Sequence, residues 1–524
     1  MNLETLLHEH VQIAAPLFRE HALAQWAADT TGTPEAQEEA ARLNAEVMRL
    51  YAQPQPYEQL QAFRRSPPAD PLLARQLERL FLRYLIGQRD PQTIDRVVEL
   101  EKQVHSEVVN HRPLLRGQPV SDNDILQVLR QETDSALCQE AWEASQTLGA
   151  RIAGRVRELA HLRNEAARRL GYPDFYTLSL VGQEFDPQEL AGLLERLAAQ
   201  TAPVYAQAKA ALDERLAARF GVAPADLRPW HYSDPFFQRA PNDPALDLSR
   251  FLEGHNLETL AVRTYDGLGM EVRDILARSD LYERPGKNQH AYCVDVDRQG
   301  DVRILVNLRP IERWMSTLLH ELGHAVYDKY LAADLPWLLR RPAHTFTTEA
   351  VAILMGRRVH DPRWLEQVLG LPADEVARLA PALDQQERLG SLIFVRWALV
   401  MVHFERALYA DPEQDLDTLW WDLKEHFQGL VRPEGRQAPD WAAKYHVALA
   451  PVYYHNYILG ELMASQMAAV VDERFGGLVD EPRAGAFLIE QVLAPGARLD
   501  WRELVRQATG KPLSPEDFTA WAAV

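Results

Sequence analysis

The sequence predicts a mostly α protein, because apolar residues recur with helical spacing along most of the chain and strand signals are few. Helix start signals are also frequent. Each places a capping residue before an apolar repeat, as in Thr33-Pro34-Glu35, Ser121-x-x-Asp124 and Asp186-Pro187-Gln188-Glu189. The segments with helical spacing are 35–52, 74–88, 91–109, 123–131, 136–170, 187–219, 247–278 and 456–475.

Length and composition indicate one large folded unit. The 524 residues are 47% hydrophobic and 25% charged, as in ordinary globular proteins, and no Ser/Gly-rich linker, charge block or repeat divides them. The two cysteines, Cys138 and Cys293, stand in no paired motif, so we expect no disulfide framework.

Charge and hydropathy narrow the range of partners. A formal net charge of -19 argues against nucleic-acid binding, which depends on lysine and arginine contacts to phosphates. No apolar run reaches about 18 residues, and the start Met1-Asn2-Leu3-Glu4 lacks signal-peptide features. We therefore expect a cytoplasmic protein without a membrane partner, whereas its oligomeric state is not predicted.

A His-Glu-x-x-His motif occupies residues 320–324. On a helix, residues four apart share one face, so His320 and His324 can bind one zinc ion and Glu321 becomes the natural general base. Zinc lowers the pKa of a bound water from about 16 to roughly 7, so a neighbouring carboxylate can take its proton. Such motifs also arise by chance, but apolar flanks predict a buried helix, where these polar groups need a metal or hydrogen-bond partners.

A third ligand is available at Glu349, which lies 25 residues beyond His324 at the start of a second, apolar helix. Catalytic zinc takes three protein ligands and leaves the fourth position open. We therefore predict that His320, His324 and Glu349 bind Zn²⁺.

A second group of polar residues begins at Lys444-Tyr445-His446 and continues at residues 451–457, Pro-Val-Tyr-Tyr-His-Asn-Tyr. Peptide hydrolysis needs donors aimed at the developing oxyanion, and a phenol with an imidazole can supply them. Three tyrosines within five residues also fit an aromatic helix face whose hydroxyls are satisfied structurally.

Together these motifs resemble the gluzincin peptidases that include angiotensin-converting enzyme, thimet oligopeptidase and bacterial oligoendopeptidase F, over roughly the C-terminal half of the chain. The resemblance implies a large two-lobed helical fold around a deep central channel, with a small β-hairpin beside the active site. It implies a single catalytic unit over residues 1–524, lid helices at 1–65 and an active-site core at 285–460. Such a channel admits slender, flexible chains, so the expected partners are oligopeptide substrates.

The resemblance also assigns roles in the second polar group. In angiotensin-converting enzyme a Lys-x-His is followed by Tyr-x-x-Tyr. The lysine and the first tyrosine bind the substrate's C-terminal carboxylate, and the histidine and the second tyrosine stabilise the tetrahedral intermediate. The matching residues here are Lys444 and Tyr454 for the carboxylate, and His446 and Tyr457 for the intermediate. The match needs one extra residue between His446 and Tyr454. Tyr453 is therefore an alternative to Tyr454, and His455 is an alternative to His446, for these roles.

A β-hairpin is predicted where Tyr292–Val296 and Val302–Val306 alternate around a polar turn. Its edge could pair with an extended peptide, or the hairpin could be capped and bind no ligand. Just before it, His290 and Ala291 match a His-Ala that hydrogen-bonds substrate main chain in angiotensin-converting enzyme.

The sequence departs from that pattern at three places. Asn456 replaces a chloride-binding arginine, so chloride activation is not implied. Ile353 replaces an aspartate, which leaves the hydrogen-bond partner of the metal ligands unidentified, with Asp328 as a candidate. The family's carboxylate-binding glutamine has no clear match near Trp230-His231-Tyr232.

We therefore expect a zinc metallopeptidase in which Glu321 deprotonates water while Tyr457 and His446 hold the oxyanion. Lys444 favours release of C-terminal dipeptides, and internal cleavage of the thimet oligopeptidase type is the alternative. A helical carboxypeptidase of the Taq type is disfavoured, because its His-Glu-Ser-x segment differs from residues 348–351. A catalytically inactive peptide-binding protein is a distant alternative, since Glu321 accompanies a full set of ligands.

Overall fold

The computed structural model describes residues 2–241 and 246–523. Within these ranges the chain forms 22 α-helices and two short antiparallel sheets, which confirms the mostly α prediction. The helices are α1 (Leu3–Thr31), α2 (Pro34–Tyr51), α3 (Pro54–Arg64), α4 (Pro71–Gly87), α5 (Pro91–Asn110), α6 (Asp122–Gln131), α7 (Ser135–Arg169), α8 (Phe175–Gly182), α9 (Pro187–Phe220), α10 (Ser249–Leu252), α11 (Leu257–Asp266), α12 (Arg273–Arg278), α13 (Glu312–Lys329), α14 (Thr345–Gly356), α15 (Pro362–Gln367), α16 (Ala373–Ala410), α17 (Leu416–Gln428), α18 (His446–Leu449), α19 (His455–Phe475), α20 (Pro482–Leu488), α21 (Trp501–Thr509) and α22 (Glu516–Ala522).

The strands form two hairpins. They are β1 (Leu114–Leu115), β2 (Gln118–Pro119), β3 (Tyr292–Asp295) and β4 (Val302–Leu305). Strands β3 and β4 pair in the register Tyr292↔Leu305 to Asp295↔Val302, which confirms the predicted hairpin. In its turn, Gly300 adopts a φ of 110°, a left-handed conformation that glycine reaches without steric cost.

The predicted capping residues begin helices as expected. Thr33 accepts the backbone N–H of Ala36 at the start of α2, and Asp186 caps α9. Ser121 and Asp124 form a reciprocal capping box at the start of α6. Each satisfies backbone donors that the first helical turn leaves unpaired.

The segment 247–278, which carries helical spacing in the sequence, is divided in the structure into three short helices, α10, α11 and α12. Gly254 and Gly269 adopt left-handed φ values of 81° and 70°, which ends the helical path at each point. Asn256 then starts α11 anew by accepting the N–H of Thr259. Apolar spacing continues across these breaks, which explains why the pattern alone did not reveal them.

The chain divides into two compact units. The first comprises Met1–Gln88, Ala245–Asp384 and Leu459–Phe518, and in it α13 packs against α14, α11 and the β3–β4 hairpin. The second comprises Arg89–Pro244, Gln385–Ile458 and Thr519–Val524, and in it α7 packs against α5, α6 and α8. The first 65 residues contain α1, α2 and α3, and their expected role as a lid remains a prediction.

Two further sequence predictions concern membrane-spanning helices and the two cysteines. None of the helices in the described ranges combines the length with the hydropathy that a membrane crossing requires. Cys138 is a buried free thiol and Cys293 a half-buried one.

Candidate active site

Helix α13 carries the His-Glu-x-x-His motif in the first unit. Its apolar residues Met315, Leu318 and Leu322 are fully buried, so the helix is anchored in the core of that unit. The rings of His320 and His324 lie one helical turn apart, with their centroids separated by 4.9 Å. Both imidazoles are therefore available to one ligand.

Helix α14 brings a carboxylate to these imidazoles. Glu349 Oε2 lies 3.9 Å from His320 Nε2 and 3.8 Å from His324 Nε2. Among the described residues these three form the group that could hold a metal ion, with all candidate donor atoms within 4.8 Å of one another. In tetrahedral zinc sites with ligand distances near 2 Å, donors lie about 3.3 Å apart. The two distances from Glu349 exceed this value by only about 0.5 Å, so the donor set fits zinc after a small inward shift.

Two glycines let three helices approach the site closely. A Cβ on Gly323, inside the motif, would lie 2.7 Å from Ala352 Cα on α14. A Cβ on Gly460 of α19 would lie 2.9 Å from Glu349 Cβ. Cβ atoms essentially never approach other atoms this closely, so only glycine permits the spacing.

The other ring nitrogens of the two histidines are held by α14. His324 Nδ1 lies 2.8 Å from Thr348 Oγ1, and the ring of His320 hydrogen-bonds the backbone of Ala352. Partners of this kind fix the tautomer and orientation of a metal-binding imidazole. Sequence reasoning missed Thr348 and named Asp328 as a candidate. Asp328 is half-buried near Arg298 and Arg341, and its proposed role remains a prediction.

Burial sets the protonation of the site. It lowers the pKa of His320 to about 4, and burial together with the neighbouring His320 lowers the pKa of His324 well below its usual range. Both imidazoles are therefore neutral near pH 7, which is the form that binds a metal. Burial and then the nearby Glu349 raise the pKa of Glu321 to about 8. A bound cation would favour the ionised form of this carboxyl group.

The segment before the β3–β4 hairpin is held by α1, within the same unit. Asn288 Oδ1 accepts the backbone N–H of His290 at 2.9 Å. Asn288 in turn donates its backbone N–H to the Asp29 carbonyl at 2.8 Å and its side-chain amide to Asp29 Oδ1 at 3.0 Å. The Tyr292 hydroxyl donates to Asp29 Oδ2 at 3.0 Å. Asp29 thus fixes Asn288 before and Tyr292 after the pair His290 and Ala291, which are exposed and half-buried respectively.

Lys444 lies in the second unit among aromatic rings. Its Nζ donates to Gln238 Oε1 at 2.9 Å and lies 5.3 Å from the Phe236 ring and 5.7 Å from the Trp397 ring. Trp397 Nε1 donates to the Tyr454 hydroxyl at 3.3 Å, so Lys444 and Tyr454 adjoin the same indole. Burial lowers the pKa of Lys444 to about 8.

His446 and the tyrosines form one cluster in this unit. The His446 ring lies 5.2 Å from the Tyr454 ring, and the Tyr457 ring lies 5.4 Å from Tyr454 and 5.1 Å from Tyr453. Tyr454 is buried, whereas Tyr453 and Tyr457 are half-buried.

His455 has a different environment from His446. It is 1% exposed, packs edge-on against Phe185 at 5.3 Å, and its Nε2 lies 3.1 Å from Gln183 Oε1. Burial lowers the pKa of His455 to about 3. The side chain is therefore a neutral core group, and these contacts favour His446 as the functional histidine.

Comparison with known proteins places the chain in a family. The family model described as angiotensin-converting enzyme, peptidase family M2, matches residues 1–513. The chain belongs to this family. The resemblance inferred from the motifs is thereby confirmed, and it extends beyond the C-terminal half to nearly the whole chain.

Individual relatives are distant. Angiotensin-converting enzyme of Rattus norvegicus is 24% identical over 430 residues, which cover 74% of this chain and 32% of the rat protein. The enzyme of Mesocricetus auratus is 24% identical over 415 residues, with 71% and 31% covered. An angiotensin-converting enzyme-related protein of Drosophila melanogaster is 22% identical over 402 residues, with 68% and 62% covered. The match thus spans about a third of each mammalian relative.

Peptidases of the angiotensin-converting enzyme family are zinc-dependent. The donor types and spacing of His320, His324 and Glu349 agree with that cofactor.

The structure brings a glutamine to Lys444 that sequence reasoning did not identify. Gln238 lies six residues beyond Tyr232, and its side chain is bonded to Lys444. The chain between them is irregular, with Ser233 and Phe237 in left-handed conformations at φ values of 63° and 52°. No periodic pattern crosses such a segment, so the sequence offered no signal that Gln238 meets Lys444.

Proposed function

We propose that this chain hydrolyses peptide bonds in oligopeptides with zinc as its cofactor, and that it releases C-terminal dipeptides. The observation that carries the first part is the convergence of His320 Nε2, His324 Nε2 and Glu349 Oε2 beside Glu321 in the first unit. Glu321 and Glu349 are buried beside two half-buried, neutral imidazoles, and placing two carboxyl groups there is costly, so the arrangement favours a metal site.

In this proposal His320, His324 and Glu349 hold the ion, while Thr348 and the backbone of Ala352 orient the imidazoles. Zinc bound there supplies a Lewis acid that polarises the scissile carbonyl and acidifies water. Glu321 takes a proton from the attacking water on its carboxylate oxygen. It then passes that proton to the nitrogen of the leaving amine.

Two residues of the second unit support the release of C-terminal dipeptides. Lys444 is buried, and its hydrogen-bond partner within the described ranges is the neutral amide of Gln238. Asp234 is a nearby negative charge, and a substrate carboxylate would add a direct charged hydrogen-bond partner for this ammonium group. Such a charge-assisted hydrogen bond contributes roughly 1.5 to 3 kcal/mol. Tyr454, which adjoins the same indole of Trp397, is assigned to the same carboxylate.

The oxyanion role is assigned to Tyr457 and His446. Both belong to the cluster of rings around Tyr454, and the side chain of Tyr457 is half-buried, so part of it is accessible to a substrate. His455 is a weaker candidate than His446, because it is already bonded to Gln183 in the core. Tyr453 is half-buried like Tyr457 and stays an alternative to Tyr454.

The test compares one hexapeptide with a free and with an amidated C-terminus, using mass spectrometry to identify the products. We expect dipeptides from the free form, much slower cleavage of the amide, and no cleavage after zinc is removed with a chelator. Equal cleavage of both forms into internal fragments would show that the protein is an endo-oligopeptidase and would contradict the release of C-terminal dipeptides. Stoichiometric zinc without cleavage of any member of a mixed peptide library would indicate a peptide-binding protein.

A further inference from the structure

The turn that precedes α19 contains a strained residue. Val452 adopts a φ of 54°, in the left-handed region that β-branched residues rarely enter. Its side chain is buried, so the conformation cannot relax without disturbing the core of the second unit. Strain of this kind persists only where the surroundings hold it, and it concentrates at functional sites.

Two side chains hold the peptide groups on either side of Val452. Glu405 Oε1 accepts the Val452 N–H at 2.8 Å, and Glu405 is only 1% exposed. Gln183 Nε2 donates to the Val452 carbonyl at 3.2 Å. Within the described residues, the Val452 N–H is the hydrogen-bond donor to this carboxyl group, and Arg163 is a nearby positive charge. Burying a carboxyl group costs free energy, which makes its place beside a strained residue notable.

Gln183 also binds the first turn of α19. Its Oε1 lies 3.1 Å from His455 Nε2 and accepts the Asn456 side-chain amide at 3.2 Å. Asn456 Nδ2 donates in addition to the Tyr453 carbonyl at 3.1 Å. One glutamine therefore ties the strained turn to the start of the helix.

The two tyrosines with proposed roles lie next to these fixed points: Tyr454 between Val452 and His455, and Tyr457 directly after Asn456. Tyr454 follows Val452 by two residues, and Tyr457 lies in the first turn of α19. The segment has one residue more than the Lys-x-His and Tyr-x-x-Tyr spacing of the family. A left-handed residue reverses the chain locally and can take up that extra residue, so that Tyr454 still reaches Trp397.

We propose that Glu405 and Gln183 are positioning residues, which hold Val452 in its strained conformation and thereby fix the hydroxyls of Tyr454 and Tyr457. This inference rests on the proposed peptidase function. Neither side chain is assigned a contact with substrate, and both act through the turn.

The experiment compares the kinetics of Glu405→Leu, Glu405→Gln and Gln183→Leu on a peptide with a free C-terminus. Leucine at position 405 removes the acceptor of the Val452 N–H, and leucine at position 183 removes the donor to the Val452 carbonyl. Glutamine at position 405 keeps an oxygen that can accept the Val452 N–H. We expect kcat to fall about tenfold to a hundredfold in both leucine variants, because small displacements of catalytic groups have effects of this size. We expect Glu405→Gln to stay within about threefold of wild type.

A matched control variant separates an effect on the position of the tyrosines from an effect on the stability of the protein. Thr509 is buried in the first unit and donates to the Val505 carbonyl at 2.7 Å, so Thr509→Val removes a comparable buried hydrogen bond elsewhere. It should lower the melting temperature without changing kcat. If Glu405→Leu behaves in the same way, or if Glu405→Gln loses as much kcat as Glu405→Leu, the proposed positioning role is wrong.

A second measurement tests the strain without any peptide. Val452→Gly and Val452→Ala both remove the buried side chain, but only glycine adopts this φ without steric cost. Val452→Gly should therefore melt at a higher temperature than Val452→Ala, and the reverse order would overturn the strain argument. If wild-type protein cleaves no peptide, the proposed function and the positioning role both fail. The order of the melting temperatures of Val452→Gly and Val452→Ala would still test whether Val452 is strained.

Discussion

Replacing Thr348 by valine tests how the metal ligands are held, because it removes one hydroxyl and keeps the shape. In the structure that hydroxyl lies 2.8 Å from His324 Nδ1. When Thr348 accepts the Nδ1 proton, the lone pair of His324 is left on Nε2, the atom that lies 3.8 Å from Glu349 Oε2. Loss of such a partner typically weakens metal binding about 10- to 100-fold, or about 1.4 to 2.8 kcal/mol.

The assay is zinc competition with a chromophoric chelator on the purified metal-free protein. Thr348→Ser keeps the hydroxyl and should bind zinc nearly as tightly as wild type. Thr347→Val is the matched control, since the neighbouring Thr347 hydroxyl donates to the His344 carbonyl instead of contacting a ligand. The proposed role of Thr348 is wrong if Thr348→Val binds zinc like wild type, or if Thr347→Val weakens zinc binding as much as Thr348→Val does.

Three further predictions concern other parts of the site. Gly323→Ala should lower both the melting temperature and the zinc affinity, because the added Cβ would lie 2.7 Å from an α14 backbone carbon; unchanged values in calorimetry and chelator competition would contradict this. Tyr457→Phe should lower kcat about a hundred- to thousandfold with little change in KM. A larger kcat defect in Tyr454→Phe or Tyr453→Phe would move the oxyanion role to that residue. The ratio of kcat/KM for free peptides to kcat/KM for amidated peptides should fall as pH rises through about 8, because Lys444 loses its proton there. A ratio that stays constant with pH would show that Lys444 does not bind the substrate carboxylate.

The parts of the molecule that sequence reasoning predicted correctly are local ones. Capping at Thr33, Ser121 and Asp186 depends on residues within one helical turn, and the β3–β4 hairpin depends on alternation around one turn. The pairing of His320 with His324 follows in the same way from helical geometry alone. These features need no knowledge of tertiary packing.

The features that sequence reasoning missed arise from contacts between distant segments. Gln238 meets Lys444 across 206 positions, and Asp29 binds Asn288 across 259. Thr348 is adjacent to a predicted ligand, yet its hydroxyl could have pointed elsewhere, as that of Thr347 does. The breaks in 247–278 were hidden because glycines interrupt a helix without interrupting its apolar spacing.

The most direct test of the whole account is to measure zinc content and peptide turnover together in Glu321→Gln. Glutamine preserves the shape of the side chain and removes the base, while His320, His324 and Glu349 remain in place. We predict one zinc ion per chain, as in wild type, with nearly all turnover lost. Substantial turnover in this variant would contradict the role of Glu321, and a chain that binds no zinc in either form would contradict the metal site itself.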